Sequence, residues 1–194
     1  MPAGHKGAAD AGHGGRARGS RPTRDRWQPG DSTITQPTGQ KGGAPEGKLT
    51  ELEPHLDDEA RRSTNRENEV AALLATSGYQ IKQNPDDAEV ARARQEHNDN
   101  GKPEKEPDYL LEGRVFDCYS PNPGTNPRNV WSEVRDKGED GQTQRVVVDL
   151  KEWRGDMSAL WQQFHDWTLP KVKEVKVITP DGQIAQIVPY PNNT

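Results

Sequence analysis

Apolar and polar residues alternate along this chain in blocks, and the blocks read as elements. Val70, Ala71 and Leu74 share one face by i, i+3, i+4 spacing, so the chain predicts a helix from a cap at Ser63 or Thr64 to about Thr76, ended by Gly78. Glu67 falls in its first turn, at the head of the apolar stripe. "YQIKQN" alternates as a strand. Residues 85–106 are polar, their first half a short exposed helix and their second a Gly/Pro/charge loop, and read as an insertion with little core contact. "DYLLE" and "RVFDCY" flank Glu112-Gly113 as a tight hairpin. After the proline-rich "SPNPGTNP", a helix places Val130, Trp131 and Val134 inward. "RVVVDL" is the pattern of a strand buried on both faces. "GDMSALWQQFHDW" is a second amphipathic helix capped by Asp156 or Ser158, with Leu160, Trp161, Phe164 and Trp167 inside. "VKEVKVIT" and "QIAQIVPY" are strands joined at "PDG". Helices and strands interleave in this way in an α/β or α+β mixed sheet.

The pattern is absent from the first fifty residues, where Trp27, Ile34 and Leu49 are nearly the whole apolar content. Rich in Gly, Pro, Ser, Thr and Arg, this stretch lacks the apolar area that offsets ordering entropy, so residues 1–50 read as a disordered leader and 51–194 as the folded domain. Charge divides at the same place. The leader holds eight Lys and Arg against four Asp and Glu, the remainder 18 against 27, and the net charge is −5. An acidic domain does not coat nucleic acid through its phosphates; it needs a local basic patch, a structured target or a basic partner. "RARGSRPTRDR" is a basic cluster within the leader, read as solvated linker before nucleic-acid or membrane contact. One cysteine, Cys118, excludes an internal disulfide and gives no sign of a thiolate cluster. No apolar run reaches the roughly 18 residues of a membrane helix. The N-terminus has no apolar core of a Sec signal, so export requires a non-Sec route or carriage within a larger polypeptide.

The candidate chemistry lies in "PDYLLEGRVFDCY". A two-residue hairpin centred on Glu112-Gly113 opposes Asp108 and Asp117, with Cβ atoms about 4.5–5.5 Å apart on one face. Two like charges there either belong to solvated strand ends or share a cation, and Mg²⁺ suits one or two carboxylates with waters and a substrate phosphate. Glu67 adds a third carboxylate, which either favours its helix dipole or joins the site. A thiol nucleophile at Cys118 with His165 as base is the weaker chemistry, because Cys118 points opposite to Asp117 in an alternating strand. Trp131, Trp161 and Trp167 read as core before base-stacking platforms.

The string "PDYLLEGRVFDCYSP", preceded by "RENEVAALLATSGYQIKQNP" and followed by "GQTQRVVVDL", resembles the C-terminal tRNA nuclease domain of CdiA, of the contact-dependent growth inhibition toxins. The likeness runs roughly from residue 60 to 188. It implies a PD-(D/E)XK-like nuclease fold, with a mixed central sheet flanked by helices, and metal-dependent phosphodiester hydrolysis. By the resemblance, the helix acid is Glu67 in "REN", the first strand acid Asp108 and the second Asp117, together holding Mg²⁺ or another divalent cation. The lysine expected two residues after the second acid falls on Tyr119, a departure. Lys137 is the first replacement and Lys151 the second; Gln142 and Arg145 are phosphate contacts. The expectation is a secreted bacterial toxin that cuts RNA, tRNA foremost, in a target cell, with a cognate immunity protein. A DNA endonuclease on the same carboxylates, or a non-catalytic binding or adaptor protein on a nuclease-like fold, is the alternative.

Overall fold

A computed structural model of the chain describes residues 34–190. The basic cluster of the leader, with Trp27, and the last four residues lie outside the described residues. The order is β1 (Glu46–Gly47), α1 (Asp58–Thr76), β2 (Ile81–Gln83), α2 (Asp87–Glu96), β3 (Tyr109–Leu111), β4 (Arg114–Tyr119), α3 (Pro127–Glu139), β5 (Arg145–Asp149), α4 (Met157–Asp166), β6 (Glu174–Ile178) and β7 (Ile184–Val188). The strands form one seven-stranded sheet in which each lies beside its sequence neighbour. β4, β5 and β6 are parallel, and antiparallel pairs join β2 to β3, β3 to β4 and β6 to β7. The expected mixed sheet with flanking helices is the observed architecture.

β5 explains the layering. All five of its residues are buried, and its side chains alternate between two cores. Val147 joins Ile81, Tyr109, Leu111, Phe116 and Ile178 beneath the α1 residues Val70, Ala71, Leu74 and Ala75. Val146 and Val148 face α3 and α4, where Val130, Val134, Leu160 and Phe164 close the second core. Each fully buried side chain such as Leu74 or Phe116 contributes about 1.5–3 kcal/mol relative to exposure. The two cores lock the central strands from both sides.

Three expectations are corrected. Helix α1 begins at Asp58, because the Asp57 carboxylate caps it by accepting from the Ala60 N–H at 2.7 Å. Glu67 is therefore in mid-helix, and a favourable dipole at a helix start does not account for it. Residues 85–106 are more than a loose insertion: α2 carries a capping box between Asp86 and Glu89, and Val90 and Ala93 pack on Val115. The leader boundary at residue 50 also falls too late. Residues 34–50 form a strap along the domain, fastened by polar bonds. Thr35 donates to the Glu174 carboxylate through its N–H (3.0 Å) and hydroxyl (2.7 Å). Thr38 does the same to Glu112, at 2.9 and 2.6 Å. Further along, Glu46–Gly47 pairs with β2.

Candidate active site

The hairpin has the register that places two acids together. Tyr109 pairs with Phe116, Leu110 with Val115 and Leu111 with Arg114. The turn residues Glu112 and Gly113 both have positive φ, 50° and 74°, as a two-residue turn matched to strand twist requires. Glu112 tolerates this conformation while its carboxylate is held by Thr38 and by the Gln80 N–H at 2.9 Å. One step beyond the ladder, Asp108 meets Asp117. The Asp108 N–H donates to Asp117 Oδ1 at 3.3 Å, and the Cys118 N–H donates to Asp108 Oδ2 at 2.7 Å.

Asp117 is 1% exposed, and α3 answers its charge. The Lys137 ammonium, from the last turn of that helix, donates to Asp117 Oδ2. Gln142, in the turn that follows, donates through Nε2 to Asp117 Oδ1 at 3.1 Å. Burial pulls the Lys137 ammonium down, yet Asp117 outweighs it and Lys137 stays charged, above its usual range. Asp108 is pushed well above the usual carboxylate range, first by burial, then by the charges of Asp117 and Glu67 and by a hydrogen bond to Asp117. Two carboxylates this close, out of water, disfavour a second negative charge on Asp108.

Glu67 approaches from α1. Burial raises its carboxyl above the ordinary value, and the Asp117 charge adds to this; a hydrogen bond from the Thr50 hydroxyl and the Lys137 charge oppose it. Its charge acts on both aspartates, but its own hydrogen bond goes to Thr50. Among the described residues, no three His, Cys, Asp or Glu side chains form a ready set of metal ligands. The Asp108–Asp117 pair nevertheless has the donor chemistry of a hydrated Mg²⁺ site: hard oxygens, two carboxylates, and a repulsion that a cation would relieve.

The remaining candidates separate. Tyr119, two residues after Asp117, packs against the α3–α4 core, and its phenol is pushed up to about 12 by burial and then by Glu133. The lysine that touches Asp117 comes instead from α3, as Lys137. Lys151 is exposed, and its ammonium lies beside the turn at Asp181 and Gly182, away from the acids. Gln142 is at the site, but on Asp117.

Arg145 is not placed to meet a phosphate. It is buried at 3% exposure, between Asp99 and Glu174, in a network that includes Lys173, Lys176 and Thr35. Arg145→Ala is expected to lower stability by about 3 kcal/mol in urea denaturation, because two buried carboxylates lose a partner. A surface phosphate contact would leave the midpoint unmoved.

Cys118 packs on the α1 side, and burial raises its thiol well above the ordinary range. His165 stands on α4 across the sheet against Tyr190, so no thiol–imidazole pair forms. Trp131 is buried and Trp161 packs on its core, as expected, but Trp167 is 47% exposed, edge-on to Trp131 under the Arg128 guanidinium.

Sequence reasoning missed Thr50, Arg66 and Asp149. Arg66 donates through Nε to Asp149 Oδ2 at 2.7 Å, and Ser120 donates to the same oxygen at 3.2 Å. These bonds tie α1 to the end of β5 and to the loop after β4. No spacing rule relates residues 66, 120 and 149. A groove of about 420 Å³ lies at the start of α3, lined by residues 123–127 with Arg154 and Gly155, and includes none of the acids.

Fold and site together define a mixed α/β domain that carries a buried aspartate pair met by a lysine. The structure matches a chain of the solved CdiA-CT/CdiI toxin and immunity complex from Burkholderia pseudomallei, with a TM-score of 0.62 and 32% identity, over 75% of this chain and 98% of that one. In sequence it is 34% identical over 161 residues to tRNA nuclease CdiA-2 of Burkholderia pseudomallei (strain 1026b). That stretch is 82% of this chain and spans 5% of the relative's length. The family model described as contact-dependent growth inhibition CdiA C-terminal domain matches residues 105–184, which hold Asp108, Asp117 and Lys137. The chain belongs to the CdiA C-terminal domain family. No helix among the described residues is long and apolar enough to cross a membrane.

Proposed function

We propose that this chain is a nuclease toxin domain that hydrolyses RNA phosphodiesters, with tRNA as its substrate. The carrying observation is the Lys137 ammonium on Asp117, opposite Asp108, at the end of a hairpin. Asp108 and Asp117 would hold a divalent cation with Glu67 beside them, and the cation would supply positive charge to the phosphate oxygens and acidify bound water. Glu67, its carboxyl raised above the ordinary value by burial, accepts a proton from the water that attacks phosphorus. As the new P–O bond forms, the bond to the leaving oxygen breaks, and solvent protonates that oxygen. Lys137 remains cationic throughout and stabilises the charge gathering on the phosphoryl group. Gln142 holds Asp117 in position.

The name of the curated relative, tRNA nuclease, favours RNA over DNA. The lysine missing at Tyr119 speaks for the non-catalytic reading; the contact of Lys137 with Asp117 favours the catalytic one. Delivery into a target cell as part of a larger protein, and neutralisation by a cognate immunity protein, follow from the same family relationship and from the complex of the structural relative. Incubation with total RNA tests the reading. New tRNA ends are expected with Mg²⁺, none with EDTA, and cleavage is expected to return when Mg²⁺ is restored. Cleavage undiminished by EDTA would remove the metal from this mechanism.

A further inference from the structure

We infer that Thr50, in the strap ahead of the domain, is a positioning residue for Glu67, so that the active unit begins upstream of residue 51. The inference rests on the proposed role of Glu67 at the site.

The observations form one clasp. The Thr50 hydroxyl donates to Glu67 Oε1. Its direction is set from the other side, because Asn84 Nδ2 donates to the same hydroxyl oxygen at 3.0 Å, which leaves the hydroxyl proton for the carboxylate. The Thr50 backbone is held separately. Its N–H donates to Asn68 Oδ1 at 3.0 Å, and Asn68 Nδ2 donates back to its carbonyl at 3.0 Å. Gln83 Nε2 fixes Asn68 Oδ1 at 2.8 Å, and Asn84 Nδ2 also holds the Lys48 carbonyl at 2.8 Å. Glu67 and Asn68 are neighbours on α1, so one turn of helix presents a catalytic carboxylate and the amide that docks the residue orienting it. The Tyr109 hydroxyl donates to the Glu67 carbonyl at 2.6 Å, which anchors the same turn to the strand that follows Asp108.

A carboxylate on a helix has rotamers to choose among, and a hydroxyl locked by a second donor selects one. Strap, helix and hairpin thus meet at Glu67. The strap's other clasps, Thr35 on Glu174 and Thr38 on Glu112, touch no acid of the site; Thr50 does.

The experiment uses the full chain and total tRNA as probe. Thr50→Val keeps the shape and both backbone bonds and removes only the hydroxyl. The expected result is kcat lowered about tenfold with KM, and tRNA binding by fluorescence anisotropy, within about twofold, and recovery in Thr50→Ser. Wild-type kcat in Thr50→Val, or no recovery in Thr50→Ser, overturns the positioning role. Glu67→Gln is run alongside. If it is inactive while Thr50→Val is unaffected, the proposed function stands and only this inference falls; if Glu67→Gln is fully active, both fall. Should Thr50→Val fail to fold, Asn84→Gly serves instead. Asn84 already has φ 47°, which glycine adopts freely, and the change removes the donor that directs the hydroxyl. A kcat loss of about threefold is then expected, and an unchanged kcat overturns the inference.

Discussion

Asp117→Asn is expected to lower tRNA cleavage about 10³-fold and to abolish toxicity in cells lacking the immunity protein. The change removes one negative charge and almost no volume. Asn Oδ1 still accepts from Lys137, so the ammonium keeps a partner, while the amide nitrogen no longer accepts from Gln142 and the Asp108 N–H; far-UV circular dichroism checks that the variant is folded. Catalysis loses the charge that, with Asp108, would hold a cation. Asp117→Ala is the poorer variant, because it strands a mostly buried ammonium and mixes folding loss with chemical loss. Cleavage within tenfold of wild type in a folded Asp117→Asn protein would exclude the aspartate pair from the reaction.

The second large effect separates two lysines. Lys137→Gln is expected to cut the single-turnover rate about 10²- to 10³-fold, and Lys151→Gln to leave it within about twofold. The physical difference is placement. Lys137 Nζ contacts Asp117, whereas Lys151 stands in solvent beside Gly182. Glutamine keeps a donor and loses the charge, so the Lys137 result reports charge on the phosphoryl group rather than a lost hydrogen bond. The reverse ranking would move the working cation to the end of β5 and sink the site as drawn.

Much of this site was legible in the chain. The opposition of Asp108 and Asp117 follows from a two-residue turn and period-2 alternation, both local. The buried run of β5 and the amphipathic faces of α3 and α4 were legible for the same reason: hydrophobic periodicity reports which face meets a core. Local cues failed where a polar contact crosses the fold. Hydropathy reads residues 34–50 as a leader, because Thr35, Thr38 and Thr50 are held by carboxylates far away in sequence rather than by apolar burial. The start of α1 was misplaced because Ser63, Thr64 and Asp57 are all competent caps, and only the fold chooses Asp57. Arg145 advertises a charge available to phosphate, yet its partners are Asp99 and Glu174, on separate elements.

By itself the sequence determined the mixed sheet, the hairpin with its two opposed acids, and the family, because these depend on periodicity, turn chemistry and ordered motifs carried by neighbouring residues. Only the tertiary structure decided which cation serves Asp117, that Arg145 is a buried strut, and that Thr50 holds Glu67. Each of those is a charge or hydroxyl meeting a partner from another element, and burial makes the pairing obligatory without leaving a spacing in the chain to announce it.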